Sequence, residues 1–119
     1  MALTYTELAA ARRLARLTAA REKAEHAAAR LEQAAENARQ ALLTHEEGTP
    51  ELAGALTRAS REVRVARRDI ADAAVELRSW LAVARRRDDQ AAIAEGEKLE
   101  RILAGLAIVE TQIDALIDT

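Results

Sequence analysis

Apolar residues recur at alternating spacings of three and four along the first part of the chain, which is the heptad pattern of helices packed side by side. One polar residue, Arg21, interrupts this first series. A column of alanines runs beside it, so the first helix is expected to contact two neighbours, or one neighbour very closely. The series is Leu14, Leu17, Arg21, Ala24, Ala28, Leu31, Ala35, Ala38, Leu42 and His45, and the column is Ala20, Ala27, Ala34 and Ala41.

A second series keeps the same period without a miss and ends at Ala84, where the register fails. A broader apolar face then begins, as in a helix that needs cover on more than one side. The sequence therefore predicts three helices, of which the third is the most hydrophobic. The second series is Leu52, Leu56, Ala59, Val63, Ala66, Ile70, Ala73, Leu77, Trp80 and Ala84; the third face is Ile93, Gly96, Leu99, Ile102, Leu103, Leu106, Val109, Ile113, Leu116 and Ile117.

Capping signals give the expected ends of these helices. Thr4 followed by Glu7 forms a capping box before helix 1. The run Gly48-Thr49-Pro50 offers a left-handed residue after helix 1, a cap for helix 2 and a proline at its first position. Asp88 and Asp89 are expected to cap helix 3. The predicted bounds are about 5–46, 50–86 and 89–118, within one domain of residues 1–119.

The short connection after helix 1 makes helices 1 and 2 antiparallel neighbours. Residues 58–87 carry nine arginines and four acids, whereas residues 88–119 carry two basic residues and eight acids. This complementarity favours an all-α three-helix bundle, in which a long coiled-coil-like hairpin is covered by helix 3. We expect the acids of helix 3 to face the arginines of helix 2. In the alternative architecture, helix 3 packs on another subunit.

Composition narrows the functional classes. The chain has thirty alanines, no phenylalanine and no cysteine, so the core is built from small side chains and disulfides or thiolate sites are excluded. The longest strongly apolar run, Ile102 to Val109, is too short to span a membrane. The formal net charge is −2, with both signs interspersed. We expect a cytoplasmic protein, or one within a viral or phage assembly.

The residues that could carry chemistry do not form a recognisable catalytic or metal pattern. A carboxylate-bridged metal bundle needs Glu-x-x-His, but His26 has Lys23 in the glutamate position and His45 has Leu42. The sequence contains no glycine-rich phosphate loop and no nucleophile elbow. We therefore expect no enzymatic activity, no metal and no cofactor.

Helix 2 carries two candidate binding surfaces. Its end becomes apolar on several sides around Trp80, so this region either lies under helix 3 or forms a protein interface. A stripe of arginines on its outer face is a candidate contact for nucleic acid or another anionic surface, extended by the arginines at 85–87. Without interleaved aromatic residues, the stripe is more typical of a solvated or internally paired face. The candidate interface residues are Val75, Trp80, Leu81 and Val83, and the stripe is Arg58, Arg61, Arg64 and Arg68.

Three single positions carry expectations about packing. Arg21 either sets the register of the helix 1 seam or, as we favour, extends its guanidinium to solvent. Gly96 and Gly105 lower the helix propensity of helix 3, and each either marks a close backbone approach or is tolerated without a purpose.

The predicted architecture is similar to spectrin-type three-helix repeats and to the helical hairpins of type VII secretion substrates. The hairpin turn reads Glu-Gly-Thr-Pro rather than Trp-x-Gly, so the second resemblance is limited to topology. We expect a non-enzymatic structural or assembly protein that self-associates or packs into a larger complex. A phage particle is one example of such a larger complex. The abundance of alanine and arginine is typical of GC-rich genomes, which include those of some bacteria and their phages. The alternative is a module that binds nucleic acid or an anionic surface.

Overall fold

The computed structural model describes residues 2–117 and contains three helices. These are α1 (Tyr5–Thr44), α2 (Pro50–Arg86) and α3 (Gln90–Ile117). Each helix packs on the other two, and α3 folds back onto the hairpin of its own chain. The result is a rod with principal extents of 65 × 24 × 16 Å. The predicted all-α three-helix bundle is confirmed.

The first two helices begin where the capping signals place them. Thr4 Oγ1 accepts a hydrogen bond from the Glu7 N–H at 3.1 Å, and Thr49 Oγ1 accepts one from the Leu52 N–H at 3.3 Å. Helix α1 ends at Thr44, two residues earlier than predicted. Gly48 is left-handed, with φ of 82°, but it lies in the turn between the helices. The turn is closed there by the Thr49 N–H, which donates to the Glu46 carbonyl.

The turn between α2 and α3 corrects the expected role of Asp88. Asp88 has φ of 53° and is the left-handed residue that ends α2. The Asp88 N–H donates to the Arg85 carbonyl at 3.3 Å and the Asp89 N–H donates to the Ala84 carbonyl at 2.9 Å, which is the Schellman pattern. Asp89 alone caps α3, because its Oδ1 accepts from the Ala92 N–H at 3.4 Å. An aspartate thus occupies the position that glycine usually takes.

The core follows the predicted columns. The alanine column of α1 is buried along its whole length, as expected for a helix with two neighbours. Leucine and isoleucine side chains fill the space that the alanines leave. The large side chains with almost no exposure are Leu17, Leu31, Leu99 and Ile113.

Leu81 of α2 packs tightly against the backbone of α3 at Gly96. A Cβ atom placed on this glycine would lie 2.7 Å from Cδ1 of the buried Leu81. A larger residue at position 96 would therefore push α3 away from α2 or displace Leu81. Gly105 has no such neighbour within 4 Å, so only Gly96 marks a close approach.

The expectation that α3 acids face the arginines of α2 is right for part of the helix. Arg67 pairs with Glu110 and Asp114, and Arg85 lies 3.4 Å from Glu100. Near its start, however, α3 pairs with α1 instead. The missed arginines, Arg13 and Arg21, lie on α1, which the charge count of residues 58–87 did not include.

Arg13 is buried, with 7% of its surface exposed, and its Nε lies 3.1 Å from Asp89 Oδ2. One sequence signal marks this residue, since Arg13 stands one heptad before Ala20 and so extends the buried alanine column. The helix start of α3 is thereby fixed to α1 by a charge pair that is largely removed from water.

Arg21 does not extend freely into solvent, contrary to expectation. Its Nε donates to Glu95 Oε1 at 3.0 Å, and Thr18 Oγ1 donates to the same oxygen at 2.9 Å. Burial alone would raise the pKa of Glu95, but the hydrogen bonds from Arg21 and Thr18 outweigh it and hold the pKa below its ordinary value. Hydrogen bonds to Glu25 and Glu95 raise the pKa of Arg21.

Candidate protein interface and arginine surface

The four apolar residues proposed from the sequence do not form one surface. Leu81 is 4% exposed and packs in the core beside Gly96, so it is not available to a partner. The heptad register explains this, because Leu81 directly follows the heptad position Trp80 and lies on the side of α2 that faces α3. Val83 is half-buried, whereas Val75 is 54% exposed on the outer side of α2.

Trp80 is a half-buried contact between α1 and α2. It packs against the core near the α2–α3 turn, and its Nε1 donates to Glu76 Oε2 at 2.6 Å. The Arg12 guanidinium lies over the ring, 5.8 Å from its centroid, at a distance where cation–π attraction operates. The indole N–H and one face of the ring therefore each have a partner within the chain.

Val75 borders a groove of about 360 Å³ between α1 and α2. The groove has small apolar side chains at its base and charged side chains along both edges. Its lining residues are Arg16, Ala19, Ala20, Lys23, Asp72, Ala73, Val75 and Glu76.

The charged edges of this groove belong to a longer feature, which we call the α1–α2 seam. The residues that pair across it are basic on α1 and acidic on α2, and Arg58 and Arg61 join the α2 side near the α1–α2 turn. Three ion pairs cross it, and all six side chains keep substantial exposure. These pairs are Arg16–Glu76 at 3.9 Å, Lys23–Asp72 at 3.5 Å and Arg30–Glu62 at 3.4 Å. Val65, which the sequence reasoning did not single out, is 38% exposed on α2 between the second and third of these pairs.

The four arginines of the stripe are all exposed, and none forms an ion pair with any residue between positions 2 and 117. Internal pairing was one of the two expectations for this face, and it is not observed there. Arg58 and Arg61 also line a groove of about 630 Å³ near the α1–α2 turn, together with amide side chains and His45. Of the arginines at 85–87, Arg85 pairs with Glu100, and Arg86 and Arg87 are exposed.

The histidines stand apart from any cluster of ligands. His26 is exposed, and His45 is the residue that follows the last turn of α1. Within the described part of the chain, no three His, Cys, Asp or Glu side chains are placed to hold a metal ion. Among residues 2–117, no helix combines the length and the apolar character that crossing a membrane requires.

No model of a protein family matches the chain, and searches of curated proteins and of solved structures found no similar protein.

Proposed function

We propose that this chain is a non-enzymatic assembly protein, a helical rod that associates side by side with a second copy through the α1–α2 seam. The observation that carries this proposal is the division of charge across the seam, with basic residues on α1 and acidic residues on α2 at the same level of the rod. A larger complex, such as a phage particle, is a setting in which rods of this kind would be used.

A two-fold axis parallel to the rod would make the seam complementary to itself. This symmetry places α1 of one copy over α2 of its partner, and the levels along the rod are preserved. The basic side of each seam then lies over the acidic side of the other, as an isologous contact requires. The exposed ion pairs contribute little within one chain, so they can exchange partners at small cost.

Val75 supplies an apolar contact for the proposed side-by-side interface, in addition to the charged residues of the seam. It is more than half exposed, beside the alanine base of the groove, and Trp80 lies five residues further along α2. Aromatic and aliphatic side chains surrounded by charged residues are the usual centre of a protein interface.

The proposal is tested by measuring mass in solution with light scattering. Val75→Lys should remove association, because it replaces an apolar contact and places a cation opposite the partner's Arg16 and Lys23. Ile108→Lys is the matched control, since Ile108 is 64% exposed on α3, away from the seam. Equal masses for the wild type and both variants would contradict the proposal.

A second candidate function, binding of nucleic acid along the arginine stripe, is favoured by one observation. Among residues 2–117 the stripe has no ion-pair partner, whereas the basic residues of the seam are paired. The expected signature is binding of a labelled DNA duplex that weakens steeply with salt and is reduced by Arg61→Ala and Arg64→Ala together. Absence of binding at low salt would eliminate this candidate.

A further inference from the structure

Large apolar side chains are exposed at both ends of α1. Tyr5 is 88% exposed and Leu8 is 53% exposed at the amino end, beside Leu3 at 55%. At the other end, Leu43 is 81% exposed and Leu42 is 38% exposed. These side chains are larger than the alanines that line most of the rod, and each group lies at a tip of the rod. Each tip of the rod therefore offers a site for apolar contact.

The two tips differ in charge. The Arg13–Asp89 pair brings the start of α1 and the α2–α3 turn together at one tip, where residues 2–13 and 85–89 contain five arginines and three acids. We call this the basic tip. At the acidic tip, residues 44–51 contain Glu46, Glu47 and Glu51 and no lysine or arginine. All three glutamates are exposed, as are Arg86 and Arg87 at the basic tip.

The helix directions add to this difference. Helices α1 and α3 begin at the basic tip, and only α2 ends there. Because each helix carries a partial positive charge at its amino end and a partial negative charge at its carboxyl end, one dipole of the three is left uncancelled. Its positive end lies at the basic tip, so backbone and side chains give the rod the same polarity.

We propose that copies of this chain associate end to end, with the basic tip of one copy against the acidic tip of the next. The leucines of α1 and Tyr5 would provide the buried apolar contact, and the glutamates would meet Arg86 and Arg87. Such a contact is heterologous, and because the two tips lie at opposite ends of the rod, successive copies extend into a filament rather than closing into a ring. It uses residues outside the α1–α2 seam and does not depend on the side-by-side contact proposed above.

The test is a charge-swap experiment read out by small-angle X-ray scattering. One variant, E46R/E47R, makes both tips basic, and another, R86E/R87E, makes both tips acidic. The longest dimension of the wild type should grow with concentration in steps of about one rod length, 65 Å. Each variant alone should lose this growth, with association weakened at least about tenfold by like charges. An equimolar mixture should regain it, since the tips are complementary again.

Controls keep this test separate from the side-by-side contact. Glu22→Arg with Glu97→Arg reverses two exposed charges away from the tips and should leave the growth in length unchanged. Side-by-side association increases the cross-section of the particle rather than its length. Val75→Lys should therefore reduce the cross-section and leave the growth in length unchanged. A wild type that keeps a longest dimension near 65 Å at all concentrations, or a mixture that does not regain length, would overturn the proposal.

Discussion

Helix α3 and the α1–α2 seam use the same kinds of charged residue in opposite ways. The Arg13–Asp89 side chains are 9% and 14% exposed, and Glu95, which pairs with Arg21, is 12% exposed. Across the seam, the paired Lys23 and Asp72 side chains are 47% and 57% exposed. The charges that hold the start of α3 to α1 are largely removed from water, whereas those between α1 and α2 are solvated.

This difference has an energetic consequence. Removing one partner of a buried pair leaves an uncompensated charge and costs about 3–5 kcal/mol, whereas an exposed pair contributes about 0–1 kcal/mol. The start of α3 is therefore fixed to α1 by charged groups that water cannot easily replace as partners. The charges of the seam, by contrast, can be given up to a second copy with little loss of stability.

Asp89→Asn should show the largest effect, because asparagine keeps a capping oxygen for α3 but removes the charge opposite the buried Arg13. We expect a loss of about 3 kcal/mol in the free energy of unfolding measured with urea. Asp72→Asn, at the exposed seam, should cost less than about 1 kcal/mol. Equal losses in the free energy of unfolding for the two variants would contradict the distinction between the buried pair at the start of α3 and the exposed pairs of the α1–α2 seam.

Gly96→Leu should show the next largest effect, because the new side chain would enter the space of Leu81. Overpacking of this kind costs about 1–3 kcal/mol. Gly105→Ala on the same helix, where a Cβ meets nothing, should instead stabilise the protein by about 0.5–1 kcal/mol through helix propensity. Thermal unfolding followed by circular dichroism would reveal the opposite signs, and a stabilising Gly96→Leu would show that α3 does not approach α2 closely.

Glu95→Gln should show a smaller effect that depends on pH, because Arg21 is 23% exposed and keeps Glu25 as a partner. Because the folded-state pKa of Glu95 is lowered, its contribution is present above the ordinary pKa and is lost as pH falls through the lowered value. The free energy of unfolding of the wild type should therefore fall more steeply on acidification than that of Glu95→Gln. Urea unfolding between neutral pH and about pH 3 measures the slopes. Glu97→Gln, an exposed position on α3, is the control, and identical slopes for wild type and Glu95→Gln would contradict the assignment.

The sequence was sufficient to predict the features that depend on a single helix. The heptad columns predicted the buried faces, and Thr4, Thr49 and Pro50 predicted where α1 and α2 begin, because capping and periodicity are local. Features that join two helices were predicted poorly. Leu81 was assigned to an interface with a partner, because periodicity does not tell which neighbouring helix covers a side chain that flanks the heptad positions.

The missed pairs have the same origin. Whether Asp89 and Glu95 meet arginines of α1 or of α2 depends on the rotation of α3 and on its shift along the rod, and neither is encoded in the spacing of apolar residues. Asp88 was misread for a different reason. A left-handed residue is usually glycine, so an aspartate in that position gives no clear signal in the sequence.

The most direct test of the account is thiol cross-linking between single-cysteine variants, which is clean because the chain has no cysteine of its own. A two-fold axis along the rod places Val75 of one copy near position 19 in α1 of its partner. Val75→Cys and Ala19→Cys proteins, mixed and treated with a short bis-maleimide, should give a cross-linked dimer that contains one chain of each kind. Val75→Cys alone should give little product. Absence of the mixed dimer would contradict association through the α1–α2 seam.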